Sequence, residues 1–374
     1  MPTNLKDPAE DGRAIAEQIN GDRHQFITGP VERVLADAPF VDPDELLSGL
    51  AAFHSERMAR IPSATRYPEA VQWAEYAIAV QKEVQAVAGL TDVELAAYSS
   101  LIHYLMFRGY MNAGPRMTEK CRVVYLPETD RGALHMKNVD DPITFWKPEA
   151  DPGKGAAISA GLHWDGAGSG LHIDDEPDEI FPLPVYEMCR DLCDDVPGAV
   201  EFLTRYSSFW GGQNIVLFDD EKRSVAIEKG SYNFIDVFEP DASGGSHCSG
   251  MAFRQPQTAQ GEHARDKRQQ FLQRFAQPAD GPDMTYWDTC DRAEEMLASL
   301  MAQDSVTVQE VFDLLTTPWP DGLNKPGTKL HPDQGLGEYT LKTNAVLRDE
   351  RKVYLWQRDI DGVYPDEPHI VDLA

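Results

Sequence analysis

A cysteine inside a chain offers one reactive group, whereas a cysteine at the start of a chain offers two, a thiol and an α-amine. Cys121 is placed to become the second kind. It opens the β-type run CRVVYL directly after the polar loop NAGPRMTEK, whose Gly and Pro break any preceding helix. Cleavage between Lys120 and Cys121 would make it a new N-terminus. An α-amine with a pKa of about 7.7 to 8 can act as general base for the thiol beside it near neutrality, so no Ser/His/Asp arrangement is needed. The chemistry would be attack on a carbonyl with a thioester intermediate. Judged by position alone, a cysteine at a strand start is also an ordinary core residue.

A second constellation competes for the catalytic role. His163-Trp164-Asp165, followed far downstream by His247 and Arg254, resembles the His-x-Asp, His and Arg order of iron and 2-oxoglutarate oxygenases. That reading would put His163, Asp165 and His247 on Fe(II) as a facial triad. Against it, His-x-Asp is short, and HWDGAGSGLHIDD also reads as a Gly-rich turn between strands, with His163 and His172 as plain side chains. No eight-strand jelly-roll rhythm accompanies it. The chain has five cysteines, an odd and widely spaced set that is not written like a disulfide scaffold. Cys189 and Cys193 share a helical spacing with Val185, Met188 and Leu192, which predicts buried thiols rather than metal ligands.

The elements around Cys121 change character at that residue. Up to about position 112 the apolar residues recur three and four apart, as in DELLSGLAAFHSERMARI, EAVQWAEYAIAVQKEVQAVAGL and TDVELAAYSSLIHYLMF. Asp42 before Pro43 and Thr91 stand where N-caps belong, and Gly89 marks a stop. Beyond Cys121 come short β-type runs, CRVVYL, NIVLFD, SVAIEKG and KVYLWQR, bounded by the turns DRG, DDEK and RDER. Helices are expected at 183 to 195, at 196 to 206 with Asp195 and Pro197 at its start, and through RDKRQQFLQRFAQ and DRAEEMLASLMAQ. The Pro/Gly-rich stretch 315 to 338 reads as a lid or long connection. Mixed strands and helices without a βαβ repeat predict an α+β layered fold.

The stretch CRVVYLPETDRGALHMKNVDDP resembles the start of the mature chain in the isopenicillin N acyltransferase-like family of N-terminal nucleophile hydrolases, and more distantly the choloylglycine hydrolases and penicillin V acylases. There the nucleophilic Cys opens a strand, a turn follows, and a second strand ends in an Asn-x-Asp motif, here Asn138-Val139-Asp140. GLHWDGAGSGLHIDD, the paired-helix stretch after it and GGQNIVLFDDEKRSVAIEKG continue the likeness over roughly residues 115 to 260. A weaker likeness follows in YTLKTNAVLRDERKVYLWQR.

The resemblance implies a four-layer αββα sandwich over 121–374; the helical N-terminal segment, 1–120, is expected to stay associated after cleavage because its amphipathic helices would otherwise expose their apolar faces. The resemblance implies that Cys121 is the nucleophile and Asp140 the anchor of its new amine, with Lys137 and Asn138 beside them. Lys137 stands where many relatives have Arg, to bind a substrate carboxylate or to support Asp140. The family's oxyanion Asn is replaced by SGGSHCSGMAF, which leaves His247 or Ser249, or backbone N–H groups, as donors. It implies no metal and no organic cofactor, and a small acyl amide or thioester as substrate. An inactive, ligand-binding member of the same fold is the third reading.

Composition narrows the partners. A formal charge of -28 with no Lys/Arg cluster disfavours nucleic acid and anionic lipid. No apolar run reaches the roughly 20 residues of a membrane helix, and the first residues lack the apolar core of a secretory signal, so the expected place is the cytoplasm. Assembly into a homo-oligomer is compatible with all three readings.

Overall fold

The computed structural model describes residues 7–37, 41–60, 68–107, 121–142, 161–169, 189, 192–205, 212–230, 235–249, 286–318, 320–324, 338–357 and 365–372. The chain divides into two compact units, Met1–Gly114 with Ile180–Leu192, and Pro115–Glu179 with Cys193–Ala374.

The first unit is helical: α1 (Pro8–Gly21), a π-helical turn (His24–Thr28), α2 (Gly29–Asp37), α3 (Pro43–Arg60), α4 (Pro68–Ala88) and α5 (Asp92–Phe107). Its caps are those the sequence announces. Asp42 Oδ1 accepts from the backbone N–H groups of Asp44 and Glu45, and Thr91 and Glu94 satisfy each other's backbone N–H groups in a capping box. Gly89 ends α4 at φ 60°, a conformation that costs glycine nothing. Ile19, Leu46, Leu50, Val84 and Leu101 fill the core. At Gly49 a Cβ would collide with the phenol of Tyr104, so glycine permits the close approach of α3 and α5.

The second unit holds two antiparallel sheets. The larger runs β10-β9-β8-β2-β1-β7 and the smaller β3-β4-β5-β6. Their strands are β1 (Arg122–Leu126), β2 (Leu134–Pro142), β3 (His163–Ser169), β4 (Gly212–Phe218), β5 (Ser224–Gly230), β6 (Ile235–Phe238), β7 (Ser246–Ser249), β8 (Glu338–Leu347), β9 (Lys352–Gln357) and β10 (His369–Asp372). The three hairpin turns read from the sequence join β1 to β2, β4 to β5 and β8 to β9.

Strand alternation sorts the side chains of β1 to two faces. Val124 and Leu126 pack with Leu297 and Met301 of α7 (Tyr286–Met301) and with Val311 and Leu315 of α8 (Val308–Thr316). Cys121, Val123 and Tyr125 face the other way and meet Val216 and Phe218 of β4. Helix α6 (Val196–Arg205) buries Val196, Ala199, Phe202 and Leu203 and lies against β4 and β6. Asp195 accepts from Gly198 N at 2.8 Å, as its place before Pro197 suggests, and Asp219 from the β4–β5 turn accepts from Val196 N at 3.0 Å. These contacts make an α+β unit of mixed helices and antiparallel sheets.

Some expectations need adjustment. Helix α8 is not among the expected helices, and its last two residues, Leu315 and Thr316, run into the stretch 315 to 338 that reads as a connection; Thr307 and Glu310 form a capping box that starts it. The stretches RDKRQQFLQRFAQ and 325–337 lie outside the described residues, as do most of 183–191. Cys189 is buried, whereas Cys193 is only partly so. Among the described residues no helix is long and apolar enough to cross a membrane.

Candidate active site

Cys121 is the residue immediately before β1, and 5% of it is exposed. Its neighbours are set by register. Val123 pairs with Lys137 and Tyr125 with His135, so these β2 side chains share the face on which Cys121 lies. Continued by one step, the same register brings Cys121 opposite Val139, which packs against the cluster containing Cys121 and Val123. On the other flank β7 pairs Cys248 with Val123 and adds a second buried thiol to that cluster.

The smaller sheet supplies the opposite wall. Phe218 stacks on Tyr125 at 4.4 Å between ring centroids, and His135 and His163 also pack against its ring. Asp165, on the same face of β3 as His163, meets Lys137: Nζ donates to Oδ1 at 2.5 Å. His135 Nε2 lies 3.0 Å from Asp165 Oδ2. Burial alone would raise the Asp165 carboxyl, but Lys137, helped by His135, outweighs it and holds the group well below the usual carboxylate range. Two further bonds clasp the sheets: the Ser224 and Ser246 hydroxyls at 2.9 Å, and Asn214 Nδ2 donating to Ser249 O at 2.9 Å.

Other candidates occupy the opposite face of the larger sheet. Asn138 pairs with Arg122 and is fully buried. Its Nδ2 donates to the carbonyls of Leu315 and Leu323, both at 3.0 Å, and its Oδ1 accepts from Thr343 Oγ1 at 2.7 Å. The side-chain polar groups of Asn138, for which a catalytic part is expected, tie β2 to the last turn of α8, to Leu323 beyond it and to Thr343 of β8. His247 also faces the helices, with Nδ1 2.9 Å from Asp241 Oδ2 and Nε2 3.0 Å from Glu294 Oε1 of α7. Ser249 is two residues on and shares that face. His247 and Ser249, the expected oxyanion donors, thus face away from the layer that holds Cys121, and the intervening Cys248 is the residue that joins that layer.

The iron triad is not assembled. His163 and Asp165 lie between the sheets, whereas His247 is held by Asp241 and Glu294 on the far side of one of them. Among the described residues no group of three His, Cys, Asp or Glu side chains is arranged to hold a metal ion. Asp140 is in β2 at the register shift between Val139 and Asp140, opposite Thr340. The side chain of Asp140, together with Lys120 and Arg254, lies outside the described residues. The sequence reading missed His135, Cys248 and Asn214. His135-Met136-Lys137 carried a usable signal, two polar groups at strand spacing on the hairpin that opens with Cys121.

No protein-family model matches the chain, and no curated protein does. Among solved structures it is similar to two of the conjugated bile acid hydrolase from Clostridium perfringens. A cysteine-to-alanine mutant is 11% identical, with 67% of this chain and 92% of that chain covered and a TM-score of 0.36. An arginine-to-leucine variant is 10% identical, with 68% and 84% covered and a TM-score of 0.31. Scores this low leave the function to be argued from the site itself.

Proposed function

We propose that the chain is an autoprocessing cysteine amidohydrolase or acyltransferase of the N-terminal nucleophile type, acting on linear amides through a thioester at Cys121. The observation that carries this reading is the position of Cys121. It opens β1, which lies between β2 and β7 in the larger sheet, and its side chain belongs to the layer between the two sheets, opposite Val139 and diagonal to Lys137. A strand that begins at the nucleophile presents both the thiol and the adjoining backbone nitrogen at the strand's end, which is what an N-terminal nucleophile needs. The sheet-on-sheet contact, with α7 and α8 on one outer face and α6 on the other, supports the four-layer αββα arrangement. The resemblance that begins at Cys121 supports the same assignment.

In this mechanism the Cys121 thiol first attacks the Lys120 carbonyl, shifting the acyl group from nitrogen to sulfur, and water releases residues 1–120. The freed α-amine then takes the thiol proton as Sγ attacks the substrate carbonyl, and returns that proton to the departing amine. Water or a second amine resolves the thioester, giving hydrolysis or transfer. Asp140, at the end of β2, orients the α-amine and fixes its charge. With His247 and Ser249 on the other face, the oxyanion is served by backbone N–H groups or by side chains beyond the described residues.

Denaturing mass spectrometry of freshly purified protein tests the reading. Fragments of residues 1–120 and 121–374 are expected, and Cys121→Ala should remain one chain without amidase activity. A fully active preparation that stays uncut would defeat the mechanism.

A further inference from the structure

The pairing of Lys137 with Asp165 bears on which acyl groups the site accepts. A lone cation beside the nucleophile would attract substrates bearing a carboxylate. Here the cation is already met. Lys137 Nζ and Asp165 Oδ1 are in contact at 2.5 Å, and each side chain is 21% exposed, so bulk water screens the pair only partly. The pair links β2 of one sheet to β3 of the other, which fixes its place. Lys137 is diagonal to Cys121 across β1 and β2, a separation of roughly 7 to 8 Å between backbones.

We propose that Asp165 is a specificity-determining residue: by neutralising Lys137 beside Cys121, it makes the site take uncharged acyl groups and reject those bearing a carboxylate. The inference rests on the reading of Cys121 as an accessible nucleophile, but not on amide turnover. Asp165 touches Lys137 rather than the reacting atoms and acts through that cation. A unit charge at about 7 Å in an effective dielectric of about 20 changes the concentration of an anion roughly fiftyfold, which salt reduces to about tenfold.

Two alkylating reagents with one chemistry and different charge provide the test. Iodoacetamide and iodoacetate both lose iodide as the thiolate sulfur forms a bond to their CH2 carbon, so thiol reactivity cancels in the ratio of their rates. That ratio is measured at the Cys121 peptide by mass spectrometry on the folded full chain, with the peptide of the partly exposed Cys193 as internal reference. Asp165→Asn should raise the iodoacetate-to-iodoacetamide ratio about tenfold. Lys137→Met, which leaves the carboxylate with only His135 beside it, should lower it by a similar factor. The double variant and Asp165→Glu should lie near the unmodified protein. Because the two single variants move the ratio in opposite directions, misfolding of one leaves the other to decide. A ratio within twofold of the unmodified protein in a folded single variant overturns the proposal, as does failure of Cys121 to react in the folded chain. If the ratio shifts as expected while the chain stays uncut and turns over no amide, the charge assignment stands and the amidohydrolase reading fails.

Discussion

Replacing Asn138 with Ala separates a structural brace from a catalytic group. The side chain is fully buried and makes three hydrogen bonds: its Nδ2 hydrogens go to the Leu315 and Leu323 carbonyls at 3.0 Å, and Oδ1 receives the Thr343 hydroxyl at 2.7 Å. Leu315 is in the last turn of α8, where carbonyls have no partner within the helix, so the amide serves as a cap supplied from a strand. Truncation would strand two buried carbonyls, at about 1 to 3 kcal/mol each, while the Thr343 hydroxyl can rotate to another acceptor. Partial relaxation and an entering water reduce the sum, and a loss of about 3 kcal/mol is expected. Urea unfolding followed by the protection of the α8 amides against hydrogen exchange measures it. Asn138→Asp should be worse, because it points a carboxylate at two carbonyl oxygens. The rate of Cys121 alkylation in the folded fraction should stay within a few fold. A stability loss under about 1 kcal/mol, together with a collapse of Cys121 reactivity, would show that Asn138 serves the chemistry and that the bracing argument is wrong.

Two other perturbations probe the framework. Burial, with the Arg57 charge adding to it, pushes His54 down to about 4, while Asp92 opposes weakly. The folded state therefore holds His54 neutral where the unfolded state takes up a proton. Its contribution is fully present above about pH 6.5 and is lost as pH falls from there toward 4. Unfolding of the helical unit, followed by helix content across that window, should show this acid slope, and His54→Gln should flatten it; an unchanged slope would refute the assignment. Asp219 accepts from the backbone N–H groups of Val196, Glu221 and Arg223 and from Arg223 Nε. Asp219→Ala should cost about 2 to 4 kcal/mol and loosen α6 from the β4–β5 turn, seen as faster hydrogen exchange at Val196; protection equal to the parent's would contradict the brace.

Much of the secondary structure is legible because its signals are local. Asp42, Thr91 and Gly89 mark helix ends by what their own atoms can bond or by the φ they tolerate, and each is found in that role. The start of β1 at Arg122 and the hairpin turns are local in the same sense. The helix at Val308 was available from Thr307-x-x-Glu310, but the Pro and Gly that follow mask its last turn.

The site is harder to read because its assignments depend on strand register, which a one-residue shift inverts. His247, Cys248 and Ser249 are consecutive, and a likeness in composition can nominate any of them. Pairing of Val123 with Cys248 places Cys248 in the layer with Cys121 and turns its two neighbours to the helices. The same logic separates Lys137 from Asn138 on β2: one joins Asp165 across the sheets, the other caps α8. Lys137 and Asp165 are 28 residues apart and on different sheets, so neither sequence spacing nor charge pattern announces their contact. The chemistry that the sequence suggests at Cys121 is thus a matter of one residue's position, whereas the selectivity of the site depends on a pairing that only the packed sheets create.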